Sequence, residues 1–398
     1  MKSKVATSLC LFLAATFLPI SHASAADASA ITGAFSQLSS ITALANPSII
    51  VVNEKTGEVA YQSNATSARK PASVIKLLSA TAAYTYLSPS DSYTTSLWTG
   101  IDSHSVVIQG SLDPWTSFDN KVAVKMGRTS MERIEYNALS NLKELNGGST
   151  KNTTIYYSNL YSQEVSHLAK FLKDRRISTS LKRVTSTQAI EKSSIQLISS
   201  TSPTMAKMVD WALTWSDNLL SERIARLASV GAGNTLDTAG VDRTFRTLLT
   251  SLDIDTKNLV IKDASGLSKQ NRVTAVQIAK LLVVIRKDPK FAPLVTGLPV
   301  GGISGTLQNR FIETAPNAVG LVRAKTGTLN GTTNLAGYVE SGENEYVFVI
   351  IADRHSKSYT VTKKVRATVD RILGKIATPL LPELVAVAPS SETATVTN

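Results

Sequence analysis

The chain is nearly free of cysteine. Its one Cys, Cys10, allows neither a disulfide framework nor a cysteine-ligated zinc or iron–sulfur site. Histidine is scarce as well. His22, His104, His167 and His355 are scattered, without H-E-x-x-H spacing, which argues against a histidine-ligated metalloenzyme. No G-x-S-x-G elbow, P-loop or EF-hand sequence occurs, and no internal repeat. Gly231-Ala232-Gly233 lacks the third glycine of a dinucleotide fingerprint and follows a helical pattern, so it reads as a loop. Charged residues make up only 18% and apolar residues 43%, a globular composition that excludes collagen, coiled coil and wholesale disorder. With 398 residues, the chain is suited to two domains rather than one core.

Acid is in short supply relative to base, and the formal net charge is +12. A basic protein raises the question of nucleic acid. The first residues point elsewhere: Lys2 and Lys4 precede an apolar stretch, Val5 to Ile20, and the small residues Ala23-Ser24-Ala25. That is the pattern of a signal peptide over 1–25, and an uncleaved N-terminal anchor is the lesser alternative. Cys10 falls inside it, and Leu9 is too large for a lipoprotein cleavage site. Export and the lack of any Lys/Arg block beyond pairs such as Arg175-Arg176 argue against a nucleic-acid partner. The basic surface then reads either as a match for an anionic cell envelope or as a solvated face with no partner.

From Ser48, SIIVVNEKTGEVAYQS reads strand, Gly turn, strand. Pro71 opens an apolar helix, Ala72 to about Leu87. Residues 93–200 change character, with short alternating stretches, polar helices and many Ser and Thr. Ser202-Pro203 reads as the cap and first turn of a helix bearing Met205, Met208, Val209, Ala212 and Leu213 inward. Another helix is expected from about Leu219 to Leu227, and Thr274 caps a third. Strands return in GLVRAKTG, TNLAGYVE and YVFVIIAD. The expected organisation is a discontinuous α/β (α+β) domain, 26–92 with 201–380, in which helices flank an antiparallel sheet. One smaller α+β module, 93–200, is inserted in it, and 381–398 form a disordered tail without an anchor.

Three short texts carry chemistry. Ser73-Val74-Ile75-Lys76 starts the helix after Pro71, Ser216-Asp217-Asn218 lies between two helices, and Lys325-Thr326-Gly327-Thr328 ends a strand. S-x-x-K, S-D-N and K-T-G in this order are the set of active-site serine penicillin-binding proteins and class A β-lactamases. A serine hydroxyl needs a base within reach, and residues three apart share a helix face, so Lys76 can sit beside Ser73. A lysine acts as base only with a lowered pKa, and a neighbouring cation such as Lys325 is expected to lower it. The backbone N–H groups of Ser73 and Thr328 are candidates for an oxyanion hole. Each motif alone is weak. S-x-x-K recurs at Ser67–Lys70 and Ser140–Lys143, and K-T-G recurs at Lys55-Thr56-Gly57, which reads as a hairpin tip. Order and local setting select the set at Ser73, Ser216 and Lys325.

With KPASVIKLLSA around Ser73, GSLDPWTS at 110–117, TWSDNLLSE at 214–222, DASGLSKQNRVT at 263–274 and LPVGGISGTLQNRF at 298–311, the chain resembles the D-alanyl-D-alanine carboxypeptidase/endopeptidase family of low-molecular-mass penicillin-binding proteins. The resemblance covers roughly residues 45–375. It implies a penicillin-binding/β-lactamase-like fold with a domain inserted between the first two motifs, and a secreted serine peptidase that needs no cofactor or metal. It further implies peptidoglycan stem peptides as substrates, β-lactams as acylating mimics, and a periplasmic or cell-wall location. By the same resemblance, Ser73, Lys76, Ser216 and Lys325 are catalytic, while Asn218, Thr326, Gly327 and Thr328 bind substrate. Lys325 would supply the charge for the substrate's terminal carboxylate. In relatives that prefer a diamino-acid stem peptide the insert contributes an acid and aromatics near the cleft, and the counterpart here, Ile155 to Tyr161, has no carboxylate. Two other functions compete: a β-lactamase, against which the long insert and the DASGLS and GTLQNRF stretches argue, and a non-catalytic envelope-binding protein, disfavoured by the intact motifs. Of the remaining candidates, Asp217 and Asp263 read as structural and Glu222 as a surface or capping charge. Trp115, Trp211 and Trp215 read mostly as packing, with a glycan groove as the alternative.

Overall fold

A computed structural model describes residues 27–380. The expected signal peptide, Cys10 and the expected tail lie outside the described residues. The chain opens with α1 (Ala28–Ser40), β1 (Ser48–Asn53), β2 (Val59–Ser63) and α2 (Lys76–Tyr86). A second group follows: β3 (Thr94–Gly100), β4 (Ser105–Gln109), β5 (Thr116–Ser117), α3 (Asn120–Met126), β6 (Thr129–Ser130) and α4 (Met131–Leu145). It continues through β7 (Thr153–Ser158), α5 (Ser162–Asp174), β8 (Thr179–Arg183), α6 (Ser186–Lys192) and β9 (Ser193–Thr201). The last group holds α7 (Met205–Thr214), α8 (Asn218–Gly231), α9 (Thr238–Ser251), α10 (Ala275–Lys287) and α11 (Ala292–Thr296), then β10 (Val322–Leu329), β11 (Thr332–Ser341), β12 (Asn344–Ala352) and α12 (Tyr359–Ile376).

The first and last groups share one antiparallel sheet in the order β10-β11-β12-β1-β2. Successive side chains of a strand face opposite ways, and both faces are covered here. Ile50, Val52, Val347, Val349 and Ile351 enter the core beneath α2, α8 and α10. Ile49, Val51, Phe348 and Ile350 pack with Phe35 of α1 and Val369 and Leu373 of α12. Such double burial explains why SIIVV and YVFVIIA are continuous apolar runs rather than alternating ones. The α/β class and the helix-flanked antiparallel sheet are as the sequence led us to expect.

Residues 94–201 form a second, mixed sheet in the order β8-β7-β4-β3-β9, parallel between β4 and β7 and between β7 and β8. Its own apolar cluster joins Leu97, Val106, Ile108 and Ile155 to Ile134 of α4 and Leu168 of α5.

Local expectations fare unevenly. Lys55-Thr56-Gly57 is a hairpin tip, where Asn53 Oδ1 accepts the Lys55 and Thr56 N–H groups at 3.0 and 3.1 Å and Gly57 takes φ +74°. Thr274 caps α10, its hydroxyl accepting the Gln277 N–H at 3.1 Å. Two helix starts differ. Ser202 is not a cap, because its N–H still bonds the Tyr93 carbonyl at 2.8 Å beside β3, and α7 begins only at Met205. The segment after Pro71 is a 3₁₀ turn over Ala72–Ile75 before α2 begins at Lys76.

Candidate active site

That 3₁₀ turn sharpens the geometry of the first motif. With three residues per turn, positions i and i+3 eclipse, and Lys76 Nζ donates to Ser73 Oγ at 3.0 Å. The segment carrying Ser73 is pinned on the sheet side. Asn334 of β11 donates through Nδ2 to the Lys70 and Pro71 carbonyls, at 2.8 Å each. Asp353, just past β12, pairs with buried Arg69 at 3.2 Å and accepts the Lys70 N–H at 3.1 Å. Gly327 of β10 permits close approach: a Cβ there would stand 2.7 Å from the Pro71 carbonyl oxygen.

The second motif sits at the α7–α8 junction. Ser216 adopts φ +61°, a left-handed conformation that costs a non-glycine residue energy. Asp217 caps α8, its Oδ1 accepting the Leu220 N–H at 3.0 Å, and the structural reading of Asp217 agrees with this. Asn218, the first residue of α8, accepts a hydrogen bond from Lys76 Nζ at 2.8 Å through Oδ1. Arg128, from the turn between α3 and β6, pairs with Asp217 at 2.6 Å while lying over the Trp115 ring at 4.3 Å. Trp115 packs edge-on against Trp211, and Trp211 meets Trp215 at a tilt of 39°. Trp115 is buried as expected, whereas Trp215 is 45% exposed.

Behind Lys76 stands the 263–271 loop, in a role that sequence reading missed. Lys76 Nζ also donates to the Ser265 carbonyl. Asp263 organises the loop, accepting the N–H groups of Gly266 (2.7 Å) and Ser268 and the Asn271 amide at 2.8 Å, a structural role as expected. Glu222, read as a surface or capping charge, instead binds the 263–271 loop. Its Oε1 accepts the Ala264 and Ser265 N–H groups at 2.8 Å each, so it fixes the carbonyl that Lys76 uses. The available signal was its position four residues after Asn218, on the same face of α8.

Ser73, Ser216, Asn218, Thr326 and Thr328 line one cleft of about 460 Å³. Lys76 and Lys325 lie beneath its surface, 1% and 0% exposed. Lys325 Nζ is 3.4 Å from the Thr326 carbonyl. Thr326 and Thr306 share a hydroxyl hydrogen bond at 2.8 Å, and Thr328 Oγ1 accepts from Arg366 Nη2 at 3.1 Å. None of residues 155–161 lines the cleft. Tyr161 is instead buried, its hydroxyl donating to the Leu112 carbonyl at 3.0 Å.

The electrostatics differ from expectation in one respect. Burial, not Lys325, lowers the Lys76 pKa to about 8, against the opposing pull of Asp263, Glu222 and Asp217. Lys325 is pushed well below the ordinary amine range, first by complete burial and then by the charge of Lys76. The arrangement offers a hydroxyl, a half-neutral amine touching it, and a bed of hydroxyls on a strand edge: the parts of a serine acyl-transfer site.

Comparison with known proteins agrees in extent as well as kind. Residues 36–136 and 140–376 match the D-Ala-D-Ala carboxypeptidase 3 (S13) family. Carboxypeptidase DacB of Mycolicibacterium smegmatis is 41% identical over 128 residues, 31% of this chain and 28% of that protein. The D-alanyl-D-alanine carboxypeptidase of Actinomadura sp. is 42% identical over 113 residues, 27% of this chain and 21% of that protein. These alignments thus span less than a third of either relative's length. The fold is like that of penicillin binding protein 4 from Haemophilus influenzae, with a TM-score of 0.62 at 16% identity over 82% of this chain and 95% of that one. A predatory endopeptidase from Bdellovibrio bacteriovorus gives a TM-score of 0.55 at 15% identity, over 83% and 92%. With the motifs, their order along the chain and the family match all in agreement, the chain belongs to the D-Ala-D-Ala carboxypeptidase 3 (S13) family.

Proposed function

We propose that this protein is an exported serine D-Ala-D-Ala carboxypeptidase of peptidoglycan stem peptides, acylated by penicillins and able to open peptide cross-links. The observation that carries the reading is the 3.0 Å contact of Lys76 Nζ with Ser73 Oγ, made by an amine whose pKa is near 8. Neutral Lys76 takes the Ser73 proton as Oγ attacks the carbonyl of the penultimate D-Ala. The C–N bond then breaks, and the amine of the terminal D-Ala leaves with a proton relayed through Ser216, assisted by Lys325. Water hydrolyses the ester on Ser73. Asn218 holds the peptide amide on one wall, while Thr326, Gly327 and Thr328 align the C-terminal side on the other. A penicillin presents a strained amide and a carboxylate in the same relation.

Residues 26–92 and 201–380 act as the catalytic domain and 93–200 as an inserted module, a division favoured by the two separate sheets. Among the described residues no helix is long and apolar enough to cross a membrane. The decisive test is intact mass after incubation with a penicillin. Wild type is expected to gain one antibiotic mass and Ser73→Ala none, with acylation rising as pH passes through about 8. Rapid turnover of the antibiotic without a retained adduct would favour a β-lactamase, and no adduct at any pH would favour the envelope-binding reading.

A further inference from the structure

A substrate ending in a free carboxylate needs a positive charge where that carboxylate lands, beside the Thr326 and Thr328 hydroxyls. Lys325, the residue to which the motif pattern assigns that charge, does not reach the cleft surface. It is 0% exposed, its amine faces the Thr326 carbonyl of its own strand, and it is absent from the cleft lining. Two guanidinium groups do line the cleft on this side, Arg310 and Arg366. Arg310 is already neutralised, since Asp370 of α12 engages both its Nε and Nη2. Arg366 lies one turn before Asp370 on the same helix and so finds that carboxylate taken. Among the described residues no carboxylate pairs with Arg366, and its side-chain hydrogen bond goes to a neutral acceptor, Thr328 Oγ1, at 3.1 Å.

We propose that Arg366 is the cation that anchors the C-terminal carboxylate of the substrate, receiving it on the guanidinium edge beside Thr328. This rests on the peptidase reading of the cleft. A half-buried guanidinium with a second arginine nearby and no acid of its own is in an unfavourable state. Burial, and then Arg310, lower its pKa from the ordinary value, outweighing the opposing pull of Tyr359 and of Asp370, whose carboxylate is bonded to Arg310. An arriving carboxylate would relieve both costs and could take two parallel N–H donors in the planar geometry that arginine favours. The division of labour also has chemical sense. A guanidinium keeps its charge at every working pH, whereas burial pushes the Lys325 amine toward its neutral form. Lys325 is thereby free for proton movement at the leaving nitrogen. The position at Thr328 suits a terminal D-Ala, whose carboxylate sits one carbon from the leaving nitrogen.

The test uses two pairs of acyl donors that differ only in the carboxylate: a D-Ala-D-Ala peptide and its C-terminal amide, and a penicillin and its methyl ester. For Arg366→Gln, kcat/KM for the free acid and the rate of penicillin acylation should fall about 10-fold or more, the scale of one charge-assisted hydrogen bond. The amide and the ester should be almost unaffected, and Arg366→Lys should recover part of the loss. A loss of equal size on acid and amide would show that Arg366 only supports the strand, and an unchanged acid rate would place the anchor elsewhere; either result overturns the proposal. If wild type neither cleaves the peptide nor forms an adduct with penicillin, the peptidase reading itself falls, and the anchor falls with it.

Discussion

The two walls of the cleft each hold a buried lysine, and they treat it in opposite ways. On the helical wall, Lys76 is surrounded by acceptors: Ser73 Oγ, Asn218 Oδ1 and the Ser265 carbonyl, with Asp263, Glu222 and Asp217 behind. On the strand wall, Lys325 has one long contact with a carbonyl, cationic company in Lys76 and, among the described residues, no acid acting on it. Burial lowers the pKa of both amines, but only Lys76 has acids that oppose it, holding it at about 8, whereas the charge of Lys76 adds to the effect of burial on Lys325. A base for neutral pH needs that balance, because full compensation would leave it permanently protonated and none would leave it too weak to take a proton. In the proposed mechanism the helical wall handles the proton, and the strand wall, with Arg366 and the Thr326 and Thr328 hydroxyls, handles the anion.

The comparison is broken most severely by closing the space between Ser73 and the loop behind Lys76. Gly266 has φ +89°, and a Cβ there would stand 2.0 Å from the Ala72 carbonyl oxygen and 2.8 Å from the Ser73 N. Gly266→Ala must move either the turn that carries Ser73 or the Ser265 carbonyl that Lys76 uses. Displacements of about 1 Å in an active site can cost about 100-fold, and we expect a loss of that order in penicillin acylation, read by time-resolved mass. A variant acylating at the wild-type rate would show that the helical wall does not require this spacing.

How much of this was legible in advance depends on whether the residues are neighbours in the chain. Ser73 with Lys76, and Ser216 with Asn218, are local pairs whose relation follows from helix geometry. Lys325, Thr326 and Thr328 follow from strand alternation. Their convergence on one cleft could be inferred from their order, because each motif has its own local setting. Glu222, Ser265 and Arg366 could not be read in the same way. Each acts through a contact between elements far apart in sequence, and each looks ordinary where it stands: a helix glutamate, a loop serine, an arginine on an amphipathic helix. The burial of Lys325 was equally hidden, since a lysine in a strand gives no sign of which face the sheet will cover. The surplus K-T-G at Lys55 shows the converse, a motif whose local text marks it as a turn.

A smaller break reaches the helical wall from outside. Residues 94–201 touch the second motif through Arg128, whose side chain is 8% exposed and spans from the Trp115 ring to Asp217. Ser216 holds a costly positive φ, and such conformations persist only when their surroundings overdetermine them. Arg128→Ala removes one of those restraints and leaves the Asp217 cap on α8 intact. We expect acylation to slow about 10-fold, equivalent to about 1.4 kcal/mol. Arg128→Lys should recover part of that rate, and the pH at half-maximal rate should not move, because Lys76 keeps its own partners. A shifted pH profile would mean that Arg128 acts on Lys76 electrostatically rather than by holding Ser216.

The finest adjustment separates charge from geometry on the same wall. Glu222 holds the Ala264 and Ser265 N–H groups through one oxygen, Oε1. In Glu222→Gln the amide oxygen can accept the same two hydrogen bonds, so the Ser265 carbonyl stays in place beneath Lys76. What disappears is a negative charge that favours the protonated amine and raises the Lys76 pKa. Removing it lets burial act with less opposition, and the Lys76 pKa falls further below about 8. The acylation profile should therefore move toward lower pH by a fraction of a unit. At pH 7 the variant, with more of its Lys76 neutral, should be acylated slightly faster than wild type. On the alkaline plateau it should be no faster, because Lys76 is already neutral there in both proteins, and a slightly weaker base gains nothing. A profile displaced toward higher pH would contradict the sign of the carboxylate's effect. An unchanged midpoint with a lower plateau would assign Glu222 to geometry alone and leave the proton balance of the helical wall to Asp263 and Asp217.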